Sequence, residues 1–372
     1  MIRSPAMDEP AAPRRSRLAS LDGWRALSIV LVVGSHARYV QGFPASWDGA
    51  AQWLFDGGLG VRTFFLISGL LITWLMLSEW DRAGRLNLRH FYARRALRIL
   101  PVYLAFLAVV ALIQGMTPFH LPVAAWVANL TFTANFVRPR IWTTAHLWSL
   151  AVEEQFYLLW PVLFVFFGGG RRVRPLLFLL AGALALAPVA RVLTYLGAQP
   201  PGFRHLFSEF SFFNNFDALA LGCAAAYAFA RWPARIEAAL AGRPWTVAAA
   251  ALALVLVPYG LTRALKAGAF TVPFAYSCED LGITVLILQS IIRPGFGPYP
   301  LFNWAPVCRL GILSYSVYLW QQLFSTPAAN FGMPRVWWLA FPGWLLPCAV
   351  AAVVSYYGLE RPFLRLRGRF RD

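Results

Sequence analysis

Long apolar runs alternate along this chain with short, arginine-rich polar breaks. Windows of about 18 or more mostly apolar residues fall at 24–43, 57–77, 98–115, 147–167, 175–197, 207–230, 244–260, 270–292, 304–326 and 336–359. Each is long enough to cross the hydrocarbon core of a bilayer as a helix. The pattern therefore predicts an all-α, polytopic transmembrane helical bundle of about ten spans. The segment 121–137 (LPVAAWVANLTFTANFV) is too short and polar for a secure span and reads as a re-entrant or surface helix. Residues 80–98 (WDRAGRLNLRHFYARRALR) read as a basic amphipathic helix on the cytosolic interface.

Composition supports that class. The chain is 59% hydrophobic and 13% charged, where a soluble domain carries roughly 25% charged residues. The 16 tryptophans read mostly as interface belts. With the N-terminus in the cytosol, cytosolic loops and tails hold 22 of the 33 basic residues and outer loops hold six. That asymmetry is what the positive-inside rule expects, and it places both termini in the cytosol. The net charge of +17 is then mostly a topology signal. Nucleic-acid binding would need basic residues gathered on a soluble domain, and there is none. Cys223, Cys278, Cys308 and Cys348 lie in separate spans, without metal spacing or a disulfide framework. No metal or resident cofactor is expected. The first twenty residues resemble the n-region of a signal peptide, but the following run is long enough to remain as an uncleaved anchor. The expected organisation is a cytosolic tail over 1–20, a membrane domain over 21–361 and a basic tail over 362–372 lying on anionic lipid.

Polar residues within the spans carry the candidate chemistry. Arg25 and His36 lie eleven residues apart in LDGWRALSIVLVVGSHARYV, nearly on one helical face and ~16 Å apart along the axis. This sets a fixed cation near the cytosolic surface and a titratable base near mid-membrane, where ionisable groups are costly and usually functional. The plainer alternative is a snorkelling arginine and a histidine bonded to a neighbouring helix. Arg95 and Arg98 form an i,i+3 pair at the mouth of the third span. Their planar forks suit phosphates, and they suit snorkelling to lipid headgroups as well. Glu153, in HLWSLAVEEQFYLLWP, lies ~9–10 Å in from the outer end of its span. There a carboxylate could meet the imidazole, hold its proton on one nitrogen and leave the other as a base; the alternative is a helix-start carboxylate held by water or arginine. Glu154 is ~100° round the helix and cannot share that position. Asp217, Glu279, Asp280 and Arg309 are expected to face the bundle interior. Asp217 has two readings, a structural ion pair with Arg309 or a role toward substrate. Ser68-Gly69 reads as a close-packing point, and Trp148 is the best candidate for stacking a sugar.

LDGWRALSIVLVVGSH, GVRTFFLISGLLI, RRALRILPVYL, HLWSLAVEEQFYLLWP, FDALALG and LGILSYSVYLW occur in this order. The combination resembles the acyltransferase 3 family of membrane O-acyltransferases, from about Leu21 to Arg361. The resemblance implies a ten-span enzyme of the bacterial cytoplasmic (inner) membrane. It would transfer acetyl or a similar acyl group from cytosolic acyl-CoA, a co-substrate, to a hydroxyl of a carbohydrate, glycolipid or small glycoside. The family's R-x10-H motif falls on Arg25 and His36, its RxxR motif on Arg95 and Arg98, and its span-four carboxylate on Glu153. One departure is Gln321, in Tyr318-Leu319-Trp320-Gln321, where many relatives read YLWH. Glutamine cannot act as a base, which argues against a second-histidine mechanism. The extra periplasmic domain of some relatives is not in this sequence, so the expectation is a protein that acts alone or hands its product to a partner.

Joined, these readings predict that Arg25, Arg95 and Arg98 bind acyl-CoA phosphates at the cytosolic mouth. His36, oriented by Glu153, would then take the proton of an acceptor hydroxyl arriving from outside, with Trp148 and Asp217 contacting the acceptor. A transient acyl-histidine is a variant of the same scheme. Two other classes fit ionisable residues in membrane spans: a proton-coupled transporter of sugars or lipids, against which no inverted repeat is visible, and a non-catalytic subunit of a polysaccharide export machine.

Overall fold

The apolar runs become helices, and the α3–α4 junction shows how polar and glycine residues set helix ends. A computed structural model describes residues 20–169, 173–197, 208, 210–265 and 268–370. Among the described residues every regular element is helical. The first half contains α1 (Leu21–Ala37), α2 (Ala45–Leu54), α3 (Gly57–Ala83), α4 (Leu88–Met116), α5 (Val123–Leu130), α6 (Trp142–Ala145), α7 (Leu147–Phe166) and α8 (Val173–Tyr195). The second half contains α9 (Phe212–Arg231), α10 (Pro233–Ala241), α11 (Pro244–Gly260), α12 (Gly268–Phe270), α13 (Tyr276–Ile292), α14 (Tyr299–Phe302), α15 (Ala305–Phe324), α16 (Leu345–Ser355) and α17 (Arg361–Leu366). Asp56 caps α3 by accepting from the Leu59 N–H at 2.8 Å, and Asn87 caps α4 by accepting from the His90 N–H at 3.1 Å.

Six helical stretches are long and apolar enough to cross a membrane by length and composition: Ala45–Ala83, Leu88–Met116, Trp142–Phe166, Arg174–Tyr195, Pro244–Ala264 and Thr271–Ile292. The other four expected spans correspond to α1, α9, α15 and α16, which are shorter or more polar. Helix α1 has only 17 residues. Helix α9 carries Asn214, Asn215 and Asp217, α15 carries Arg309, Gln321 and Gln322, and α16 stops at Ser355. Exposed apolar side chains line the outward faces, among them Leu252 and Leu256 on α11 and Leu346, Val350 and Val354 on α16. In water such faces would be a liability; against lipid they are solvated.

The principal seams run between α3 and α9, α1 and α15, α11 and α13, α1 and α3, and α8 and α9. At the α3–α9 crossing the packing expected of Gly69 is realised. A Cβ on Gly69 would overlap the Leu219 carbonyl oxygen, and one on Gly222 would overlap that of Leu66. The two backbones touch there, the close approach that small residues permit in membrane helices.

Three sequence expectations change. The segment 80–98 is not one helix: α3 ends in a left-handed turn at Gly84 (φ 67°) and α4 starts afresh after Asn87. Arg95 and Arg98 therefore ride the second and third turns of a continuous 29-residue helix. Asp217 pairs with Arg191 of α8 at 2.6 Å, not with Arg309, and Arg309 is exposed within the first turns of α15 rather than turned inward. Near its helix end, Arg309 can snorkel toward polar surroundings without a buried partner. The carboxylates of Glu279 and Asp280 do face the interior, where both are buried against Arg62 of α3; the Arg62–Asp280 contact is 3.0 Å. Segment 121–137 forms the eight-residue α5 and a 3₁₀ turn at Ala134–Phe136.

Candidate active site

Helices α1, α3, α4, α7 and α15 surround a cavity of about 110 Å³. Arg25, Arg95, Arg98 and Glu153 all line it, together with Ser68, Ser149, Tyr157, Ser314, Tyr315 and Tyr318. The apolar lining includes Phe64, Phe65, Leu71, Ile72 and Ile99. Two helices thus deliver three cations to one space that also holds one carboxylate.

The three arginines differ in how they are held. Arg25 Nη1 pairs with Asp22 Oδ1, one turn back on α1, at 3.0 Å. Arg98 Nη1 pairs with the fully buried Glu360 at 3.0 Å, and Glu360 also accepts from the Ser316 hydroxyl at 3.1 Å. Arg95 has no ion pair or hydrogen bond among the described residues. Its guanidinium lies 5.5 Å from the Tyr157 ring centroid and 5.9 Å from that of Phe91.

Ser149, Glu153 and Tyr157 are spaced i, i+4, i+8 and share one face of α7. The Ser68 hydroxyl donates to Glu153 Oε1 at 2.7 Å, and the Tyr157 hydroxyl donates to Ser68 Oγ at 3.0 Å. Ser68, expected only to aid packing, is therefore the link between α3 and two residues of α7. At the other end Tyr318 donates to the His146 carbonyl at 3.0 Å, and Ser149 Oγ lies 2.6 Å from the Tyr318 hydroxyl. The spacing along α7 was the available signal for Ser149 and Tyr157. Tyr318, on a distant helix, was marked only by its place in the Tyr318–Gln321 motif, with no role attached.

His36 stands outside this cavity and away from mid-helix. It is the last residue but one of α1, which ends at Ala37 before the turn carrying Gly42 and Pro44. Its partner is Gln321 of α15, not Glu153: the imidazole Nδ1 lies 2.9 Å from Gln321 Oε1. An amide oxygen only accepts, so Nδ1–H donates and Nε2 is left with its lone pair. The residue that departs from the family's pattern thus takes the orienting position expected of Glu153, whose carboxylate faces the arginines. The next residue, Gln322, does the same for a second histidine, His146, which is buried and which the sequence offered no reason to single out. Its Oε1 accepts from both the backbone N–H and Nδ1 of His146, each at 2.8 Å.

The remaining candidates lie elsewhere. Trp148 is half-buried and meets Phe65 at 6.2 Å and Phe210 at 4.8 Å, both edge-on. Asp217 is committed to Arg191 and to the Ser277 hydroxyl, away from the cavity. Among the described residues, no three His, Cys, Asp or Glu side chains gather as a metal site requires.

Helices with lipid-suited outer faces, enclosing partly buried cations and a carboxylate, define a membrane protein with a polar internal site. Residues 18–359 match the acyltransferase 3 family, described as an acyltransferase domain, and the chain belongs to that family. It is similar to the peptidoglycan O-acetyltransferase OatA of Listeria monocytogenes, 26% identical over 87% of this chain and 52% of that protein. It is likewise similar to the putative peptidoglycan O-acetyltransferase YrhL of Bacillus subtilis, 27% identical over 94% of this chain and 55% of the relative. A shorter match of 36% identity covers 40% of this chain and 25% of the O-acetyltransferase OatA of Staphylococcus aureus. The chain therefore spans about half the length of the first two relatives. No solved structure matches it.

Proposed function

We propose that this protein is an O-acyltransferase of a bacterial cytoplasmic membrane, moving acetyl or a similar short acyl group from acyl-CoA to a carbohydrate hydroxyl. In this reading α1, α9, α15 and α16 complete ten spans, and both termini are cytosolic. The observation that carries the proposal is the convergence of Arg25, Arg95, Arg98 and Glu153 on one cavity. Guanidiniums bind phosphate oxygens by paired, charge-assisted hydrogen bonds, so the nucleotide end of the donor sits against them. The pantetheine arm then extends past Ser68 and Glu153 toward Ser149 and Tyr318. The acceptor reaches His36 from the opposite side. His36 Nε2 takes the hydroxyl proton, the oxygen bonds the thioester carbon, the carbon–sulfur bond breaks, and the thiolate of CoA leaves and regains a proton from the imidazolium.

Because His36 lies outside the cavity, the thioester has to pass Ser149 and Tyr318 to meet it. That observation favours a second reading, with Glu153 as the base inside the cavity. The names of the relatives make peptidoglycan fragments the first acceptors to try. The test uses the purified chain in nanodiscs, labelled acetyl-CoA and glycan oligosaccharides. Acetylated sugar with stoichiometric CoA release is the expected result; absence of both across acyl donors and glycans overturns the proposal. His36→Ala abolishing turnover while Glu153→Gln only reduces it supports His36 as the base. The reverse order supports Glu153.

A further inference from the structure

Beside His36, on the side away from the arginines, three elements bring aromatic rings together. Trp142, the first residue of α6, meets the His36 ring at 5.2 Å between centroids and 72° between planes. It also meets Tyr39, in the turn after α1, at 5.3 Å and 58°. Tyr39 is 62% exposed. The steep angles make an open corner rather than a closed stack. Each wall of the corner is held from behind. The Trp142 indole N–H donates to Ser325 Oγ at 3.0 Å. Gln321 holds His36 Nδ1, and Arg38, just before Tyr39, is tied to Asp48 by hydrogen bonds of 2.8 and 2.9 Å.

We infer that Tyr39 and Trp142 form the acceptor subsite, holding a pyranose ring against His36. The inference rests on the reading of His36 as the residue that receives the acceptor proton. A pyranose presents an apolar face of C–H bonds and a rim of hydroxyls. The C–H face packs on the electron-rich face of an aromatic ring, while phenol and imidazole reach the rim. A tryptophan serving only as an interfacial anchor turns its indole N–H toward lipid headgroups. Here that N–H is spent inward on Ser325, so the ring is fixed as a wall. The free Nε2 of His36 then faces a hydroxyl of a sugar seated in the corner. The chemistry selects a neutral or weakly charged sugar ring, because the corner offers rings and one imidazole, and the Arg38 guanidinium, 5.9 Å from the centroid of the Tyr39 ring, is already paired with Asp48.

The test uses the full chain in nanodiscs and a tetrasaccharide of N-acetylglucosamine as probe. Tyr39→Ala and Trp142→Ala are each expected to raise the acceptor KM about threefold to tenfold, the range that one ring contact carries. CoA affinity and thermal stability are expected to stay at the wild-type level, and Trp142→Phe recovers most of the acceptor affinity. Unchanged acceptor KM in both alanine variants overturns the inference, and so does an equal loss of CoA affinity or melting temperature, which marks the corner as structural. Saturation-transfer NMR reads binding of the same tetrasaccharide without any donor. If the wild type fails to turn over, the proposed function fails alone: sugar binding that Tyr39→Ala removes still supports the subsite, and no binding to the wild type refutes it.

Discussion

Arg95 and Arg98 sit one turn apart and line the same cavity, yet their loss should have different consequences. Arg95→Ala removes a guanidinium with no ion pair among the described residues; only contacts with the Phe91 and Tyr157 rings are lost. Such contacts are worth ~0.5–1 kcal/mol, so the fold should barely notice. A charge-assisted hydrogen bond to phosphate contributes ~1.5–3 kcal/mol. Arg95→Ala should therefore weaken CoA binding about 10- to 150-fold. Arg98→Ala loses a similar contact and also strands Glu360, which is fully buried and keeps only the Ser316 hydroxyl at 3.1 Å. Breaking a buried pair costs ~3–5 kcal/mol, and because Arg98 is 26% exposed the lower end applies. The expectation is a protein that binds CoA poorly and melts early, with Glu360→Gln restoring melting but not binding. Calorimetric titration of CoA and intrinsic-fluorescence melting in nanodiscs measure both quantities. CoA affinity within about threefold of wild type in Arg95→Ala would contradict the magnitude taken from charge-assisted pairing and reassign that residue to lipid or structure. So would salt insensitivity of wild-type binding, since phosphate contacts weaken with ionic strength.

Three further outcomes are expected. Arg191→Leu leaves Asp217 buried and unpaired, so thermal stability should fall by the equivalent of ~3–5 kcal/mol and recover in part in the Arg191→Leu/Asp217→Asn double variant; melting curves in detergent decide this. Gly69→Val forces a side chain into the Leu219 carbonyl and should destabilise by ~1–3 kcal/mol or more, whereas Gly260→Ala, with open space at its Cβ position, should melt like wild type. Reporter fusions should place Asp372 in the cytosol and the 41–56 segment, which contains α2, outside; a reporter after Asp372 active on the outside would mean an odd number of spans.

Much of the candidate site was legible because it follows local helical geometry. The i,i+3 spacing of Arg95 and Arg98 sets them on one face, and both line one cavity with Arg25; that Glu153 joins them does not follow from its depth, which pointed to His36. What escaped depends on register between distant helices. The partner of His36 lies 285 residues away and the partner of Arg62 more than 200 away. Equal depth in a bilayer says nothing about which faces meet, so Glu153 and His36 were expected together and instead face different neighbours. Arg191 was hidden in an otherwise apolar run, where it could be recognised only by its carboxylate partner. The end of α1 was overestimated because hydropathy continues through Tyr39 and Val40 although the helix stops at Ala37.

The backbone contact at Gly69 and Gly222 has a mechanical consequence. Two helices that touch through their main chains have no side chain between them that can swing aside, so α3 and α9 are expected to move together. With a volume of about 110 Å³, the cavity would have to widen to admit the acyl-CoA of the proposed reaction. In such an opening the α3 wall, carrying Phe64, Phe65 and Ser68, would be the fixed side, and α4 with its arginines or α7 with Glu153 the side that moves. On the α7 side the run from Tyr157 through Ser68 to Glu153 is the latch, fastened by two hydrogen bonds.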